Sequence, residues 1–283
     1  MREIYREGRP PKSLRFLYRS RLGKPILRLL TCRAISKIAG KYMDSRLSRH
    51  RIKKCIRKNG IDMSQYLPET YRSFNAFFTR RIRPELRPFD PDPAAFVAPC
   101  DAKLSLYEIT PETTFSVKGF DYTVATLLRD DDLAAQYAGG LCFVFRLAVT
   151  DYHRYFYLDD CDKGENIFLK GRLHTVQPVA LKKRRVFTEN CREYTVLHTA
   201  RFGDVTQVEV GAMMVGRIVN YHGAGAFCRG EEKGRFEFGG STIVVLVGRD
   251  RVLPDAELLQ NTLDGNETVV RCGERLGRAV GGG

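Results

Sequence analysis

No window of this 283-residue chain approaches 18 uninterrupted apolar residues, which excludes a helix that crosses a bilayer. The most apolar early piece, "KPILRLLTCRAISKIAGKY", is broken by Arg28, Arg33 and Lys37, so it does not read as the core of a secretory signal. None of the eight cysteines forms a CxxC pair, and none of the five histidines forms an HxH or HxxxH pair. That removes the common zinc and thioredoxin-like patterns and predicts no metal site. Without a secretory signal, reduced thiols in the cytosol are the expectation, several of them acting as small buried hydrophobes. No P-loop and no GxGxxG occurs. Prolines number only 12, and with 43% hydrophobic and 28% charged residues the chain is expected to fold around a core.

Acidic residues are nearly missing from the first 60 positions, where Glu3, Glu7 and Asp44 face 19 lysines and arginines. The formal charge of +14 therefore belongs to this segment, and the remainder is slightly negative. A basic segment attracts phosphate, on nucleic acid or on anionic lipid. No zinc-finger spacing or aromatic RNP-like motif supports nucleic acid as the partner.

The first 75 residues read as helical. Ile26, Leu27, Leu30, Ala34 and Ile38 share a helical face that Lys37 interrupts. Such a segment lies in a membrane interface or packs on the core with its charges solvated, and composition leaves both open. Arg83–Phe96, with four prolines, reads as a linker. Beyond it, strands are expected at Leu141–Val149, Arg192–Ala200, Val205–Val210, Met213–Tyr221 and the "TIVVLV" run from Thr242, with one interior helix in "TVATLLRDDDLAAQYAGG". The predicted class is α+β: a basic helical region over 1–75, then a β-rich catalytic or binding core over 76–283.

Three residues could carry chemistry: Asp101 in "APCDAKL", His153 in "VTDYHRYFYLDD" and Ser241 in "FGGSTIVV". Each alone has a structural explanation, as a turn carboxylate, a hydrogen-bonded histidine and a turn serine. The serine is not in a G-x-S-x-G elbow, because Ile243 stands where the second glycine would be. Together they could form a set in which His153 takes the serine proton and Asp101 holds the imidazole.

These residues sit in ordered blocks, from "SFNAFFTRRIRP" through "APCDAKL", "VKGFDYTVATLL", "DYHRYFYLDD", "KGRLHTVQPVAL" and "FGDVTQVEVGAMMVGRIVN" to "RGEEKGRFEFGGSTIVVLV". Over nearly its whole length the chain resembles the pyruvoyl-dependent phosphatidylserine decarboxylases, of the bacterial branch with an extended helical N-terminus. The resemblance implies self-cleavage between Gly240 and Ser241, into a large chain 1–240 and a small chain 241–283. It carries Asp101 and His153 over as the residues that assist Ser241, which becomes the pyruvoyl group. That group, in place of a metal or pyridoxal phosphate, would form a Schiff base with the amine of phosphatidylserine and yield phosphatidylethanolamine and CO2. The resemblance also implies that the 1–75 region is membrane-associating and that the β-rich core over 76–283 is catalytic.

The implied partners are phosphatidylserine, an anionic membrane surface on the cytoplasmic side and the two chains of one precursor, with no nucleic acid. A homo-oligomer is compatible with all of this. Lys118, Gly119, His174 and Thr175 are the expected phosphate contacts. The sequence departs from the family pattern at Phe156, where many relatives carry a second histidine, at Gln177 in "TVQP" and at Cys191 in "NCR". Two other readings fit the residues: a pyruvoyl decarboxylase of a soluble amino acid, and an uncleaved binding protein on a membrane surface.

Overall fold

The computed structural model describes residues 2–6, 11–117, 119–212, 217–238 and 241–281. Lys118, the expected scissile Gly240 with its neighbour Gly239, and the first part of the expected strand 213–221 lie outside the described residues. A short strand β1 (Ile4–Tyr5) precedes the helices α1 (Lys12–Arg19), α2 (Gly23–Leu30), α3 (Arg33–Asp44), α4 (His50–Asn59) and α5 (Phe74–Phe78). Strands then dominate: β2 (Ala95–Val97), β3 (Ala102–Glu108), β4 (Thr114–Val117), β5 (Phe120–Thr123), β6 (Leu141–Leu147), β7 (Arg154–Phe156), β8 (Cys161–Lys163) and β9 (Ile167–Leu169). Next come β10 (Arg192–Thr199), β11 (Gly203–Val210), β12 (Ile218–Asn220), β13 (Gly225–Phe227), β14 (Glu232–Phe236), β15 (Ser241–Val247), β16 (Val252–Pro254), β17 (Glu267–Val270) and β18 (Arg275–Ala279). The α+β class expected from the sequence is the one observed.

One antiparallel sheet runs β1-β17-β3-β6-β15-β11-β10-β8-β13, with β9 also on β10. β15 lies between β6 and β11 and is buried along its whole length. A strand covered on both faces has no polar side to show, which is why "STIVVLV" lacks alternation. Side chains still alternate between the two faces. Ile243, Val245 and Val247 enter one apolar cluster with Leu106, Phe145 and Phe236. Val244 and Leu246 enter another with Val208, Val176, Tyr18 and Leu27. A small sheet, β12-β14-β7, lies on the first side, where Phe236 and Tyr155 join the cluster.

The N-terminal helices pack on the core and also leave a set of apolar side chains exposed. Tyr18 and Leu27 are buried in the second cluster, and Met43 and Ile52 in a third with Phe74, Phe78 and Tyr152. Phe16, Leu22, Ile26, Leu29 and Ile38 stay exposed. The expected stripe from Ile26 to Ile38 is therefore split: Cys32 is extended between α2 and α3, and the Thr31 hydroxyl donates to the Arg28 carbonyl at 3.2 Å.

The expected interior helix is also divided, into α6 (Val124–Leu128) and α7 (Asp131–Ala135). Arg129, at φ +55°, ends the first, and the Asp130 side chain caps the second by accepting from the Leu133 N–H at 2.9 Å. The proline-rich 83–96 segment is not a loose connector. The Asp90 N–H donates to the Gly273 carbonyl at 3.0 Å, and its last residues form β2 on β18.

Candidate active site

Ser241 opens β15 and pairs with Leu147, the last residue of β6. Its side chain takes the face of Ile243. After β6 the chain turns through Ala148–Tyr152 and returns with His153, which is fully buried. The imidazole stacks on Phe78 of α5, with ring centroids 3.9 Å apart and planes at 29°. His153 Nε2 lies 2.9 Å from the Ala148 carbonyl oxygen, and Nδ1 lies 3.4 Å from Ser241 Oγ. A carbonyl only accepts, so the proton sits on Nε2 and the Nδ1 lone pair faces the serine hydroxyl. Burial, aided by the nearby Arg80 and Lys103 charges, lowers the imidazole pKa to about 3. At neutral pH this histidine is an uncharged base beside a buried hydroxyl.

Arg80 is itself buried, donating to the Tyr66 hydroxyl at 3.0 Å and the Thr150 carbonyl at 3.2 Å. No carboxylate among the described residues pairs with it, so its charge opposes a proton on His153.

Asp101 ends elsewhere than the sequence reading expected. Both of its oxygens accept from Arg87, Oδ1 at 2.8 Å from Nε and Oδ2 at 2.6 Å from Nη2. Oδ1 also accepts from the Cys272 N–H at 2.9 Å. The carboxylate thereby ties the proline-rich segment and the end of β17 to the start of β3. No Asp101–His153 hydrogen bond occurs, because Nε2 is already committed to Ala148.

The carboxylate that shapes the histidine turn is Asp151, which the sequence reading passed over. Its Oδ2 accepts from the Ala148 N–H at 2.7 Å, and its Oδ1 pairs with the Lys103 ammonium. Its own N–H donates back to the Ala148 carbonyl at 3.0 Å. Burial raises the Asp151 pKa while Lys103 opposes that shift. Signals for both residues were present: Asp151 is two positions before His153, and Lys103 is two positions after Asp101.

The expected phosphate contacts are not assembled around Ser241. Gly119, at φ +84°, occupies the open turn between β4 and β5. His174 is buried, with Nδ1 3.2 Å from the Tyr18 hydroxyl and Nε2 3.4 Å from Glu189. Burial first, then Arg184 and Arg172, lowers its pKa to about 4. The Thr175 N–H donates to the same Tyr18 hydroxyl at 3.2 Å. Tyr18 and Val176 belong to the cluster on the second face, whereas Ser241 points to the first. Phe156, where the second histidine of the family pattern would stand, packs near Phe89 and Tyr152. No group of three or more His, Cys, Asp or Glu among the described residues is placed to hold a metal ion.

The sequence model of one protein family, phosphatidylserine decarboxylase, matches residues 74–278. The phosphatidylserine decarboxylase proenzyme 2 of Clostridium acetobutylicum is 41% identical over 98% of this chain and 96% of its own length. The phosphatidylserine decarboxylase proenzymes of Clostridium novyi and Ruminiclostridium cellulolyticum are 37% and 38% identical, over 93% and 94% of this chain and 92% and 91% of their own. The buried Ser–His pair lies within the matched span, and the similarity continues beyond it through the N-terminal helices. The chain belongs to the phosphatidylserine decarboxylase family.

Proposed function

We propose that the chain is a proenzyme that cuts itself between Gly240 and Ser241, and then converts phosphatidylserine to phosphatidylethanolamine and CO2. The observation that carries this reading is the neutral His153, with its Nδ1 lone pair aimed at Ser241 Oγ. His153 takes the hydroxyl proton as Oγ attacks the Gly240 carbonyl carbon, and the Gly240–Ser241 C–N bond breaks to leave an ester and a free amine. A base then removes the Cα proton of residue 241, the Cβ–Oγ bond breaks, and Gly240 leaves as a carboxylate. Water replaces the nitrogen of the resulting imine and releases ammonia, which leaves a pyruvoyl carbonyl at the head of β15.

Position 241 fits that group. It is buried, heads a strand paired on both sides, and has a histidine beside it to hold or return a proton. What a pyruvoyl group supplies is Schiff-base chemistry, a carbonyl that condenses with the substrate amine and accepts the electrons released with CO2. Asp101 acts on this site through Arg87 and the Cys272 amide, by fixing the segment that leads into β3.

The lipid substrate places the work at a membrane surface. No described helix is long and apolar enough to cross a bilayer. The exposed Phe16, Leu22, Ile26 and Leu29, set among arginines, suit peripheral docking on an anionic cytoplasmic leaflet. The test is to incubate the protein with phosphatidylserine in detergent micelles and reduce with cyanoborohydride. The account expects CO2 release and a covalent adduct on the small chain alone. CO2 released from a free amino acid but not from the lipid would assign the protein to a soluble substrate instead.

A further inference from the structure

A cavity of about 420 Å³ opens between α3, the start of β10 and the β12–β14 sheet, a size that suits a small ligand or lipid headgroup. It lies on the catalytic face of the large sheet. Glu193 forms part of its floor, and on β10 that residue points to the side of Leu197, in the same cluster as Ile243. Its wall includes Glu237, four residues ahead of Ser241. Phe168, Leu173 and Ile218 make much of its lining apolar.

Two features of α3 distinguish this cavity from a packing gap. Ser36 is only 6% exposed, lines the cavity, and its hydroxyl has no hydrogen-bond partner among the described residues. A buried polar group without a partner carries a free-energy cost that a ligand can relieve. One residue on, and again a turn later, Lys37 and Lys41 line the same opening and form no ion pair with the described residues. The carboxylates here are already engaged. Asp44 accepts from Asn75 at 2.8 Å, Glu193 from Asn220 at 2.8 Å, and Glu237 pairs with Arg217 at 3.2 Å. Lys37, Lys41 and Arg217 thus share the cavity with Asp44, Glu193 and Glu237. The two ammonium groups and the Ser36 hydroxyl are the donors left without a direct partner among the described residues, above an apolar floor. Ile38, between them in sequence, is 66% exposed on the outer side of the helix.

We propose that this cavity takes the phosphoglycerol part of the decarboxylation substrate, with the Ser36 hydroxyl and the Lys37 and Lys41 ammonium groups donating to its phosphate oxygens. The assignment rests on the phosphatidylserine reading given above, and replaces His174 and Thr175 as the phosphate site. The apolar lining receives the glycerol and first ester carbons, and the headgroup amine extends past Glu237 toward position 241. Acyl chains leave along the exposed side of α3.

The test uses processed protein and phosphatidylserine in micelles of an uncharged detergent, so that bulk attraction to a charged surface is absent. Charge-assisted hydrogen bonds of this kind are worth about tenfold or more in affinity. The Lys37→Gln/Lys41→Gln variant is expected to raise KM about tenfold with kcat within about twofold, and Ser36→Ala to raise KM by a smaller factor. Glycerol 3-phosphate should inhibit the wild type competitively, and bind the double variant about tenfold more weakly by calorimetry. Arg249→Gln/Arg251→Gln, an equal charge loss on the turn after β15, should change neither value. Conversion to two chains reports that each variant folds.

Unchanged KM and unchanged glycerol 3-phosphate binding in the lysine variant, with wild-type decarboxylation intact, would overturn the assignment and leave the proposed activity standing. A wild type that releases no CO2 from phosphatidylserine would instead remove the activity. Glycerol 3-phosphate binding would then still decide whether the cavity is a phosphate site.

Discussion

At the scale of single residues, the protonation state of His153 governs the account. An ordinary histidine would gain charge as pH falls through about 6.5 and stop acting as a base. Here burial holds the folded pKa near 3. The rate of self-cleavage is therefore expected to stay flat from pH 8 to pH 5, and a fall by half near pH 6.5 would contradict it. The same shift has a stability consequence, shared by His174 at about 4. Above the unfolded value of about 6.5 neither state binds the proton, and these residues contribute no pH dependence. Below it the unfolded chain takes up protons that the folded chain refuses, so stability falls with pH by about 1.4 kcal/mol per unit for each histidine. Urea unfolding of the single-chain Ser241→Ala precursor at pH 7.5 and 5.0 measures this. His174→Gln should flatten the slope, and an unaltered slope would show that His174 is not buried neutral.

At the scale of elements, the Asp101 contacts decide how the carboxylate acts. It joins Arg87, on the proline-rich segment, to the amide of Cys272 beyond β17. Replacing it by Asn leaves a half-buried guanidinium without its anion, a loss of about 1–3 kcal/mol. If Asp101 works through this clamp, Arg87→Gln should slow self-cleavage about as much as Asp101→Asn does. A processing rate unchanged in Arg87→Gln but strongly reduced in Asp101→Asn would mean that the carboxylate reaches the imidazole directly.

The elements themselves were unevenly legible. β6, β10, β11 and β15 could be read because β-branched and aromatic runs state a buried strand plainly. The break at Arg129 and the turn at Cys32 could not, because both depend on one residue's backbone conformation rather than on periodicity. Asp101, His153 and Ser241 stood out by residue type and context. The Arg87 clamp, the Asp151 turn and the Ser36 cavity did not, since each is made by chain segments that meet only after the sheet has formed.

At the scale of the whole molecule, the N-terminal helices have two sides. One is packed through Tyr18 and Leu27, and the other leaves Leu22 and Leu29 at 75% and 60% exposure. Burying apolar side chains in the interface is worth up to about 1.5–3 kcal/mol each. Leu22→Glu with Leu29→Glu is expected to weaken sedimentation with anionic vesicles at least about tenfold while self-cleavage proceeds. High salt should weaken wild-type binding as well. Full vesicle binding by the double variant would place the docking surface elsewhere.

The two expected chains are interleaved rather than adjacent. β15 lies between β6 and β11, β17 between β1 and β3, and β18 pairs with β2. Cutting the chain ahead of Ser241 leaves every one of those pairings in place, so the products should remain one particle until denatured. The most direct measurement is the intact mass of purified protein, taken once under native conditions and once denatured. The account predicts one native species that separates on denaturation into residues 1–240 and a small chain from 241 to 283 carrying a pyruvoyl N-terminus, with Ser241→Ala remaining a single chain. A wild type that stays one full-length chain after long incubation, or a Ser241→Ala variant that is still cut, would contradict it.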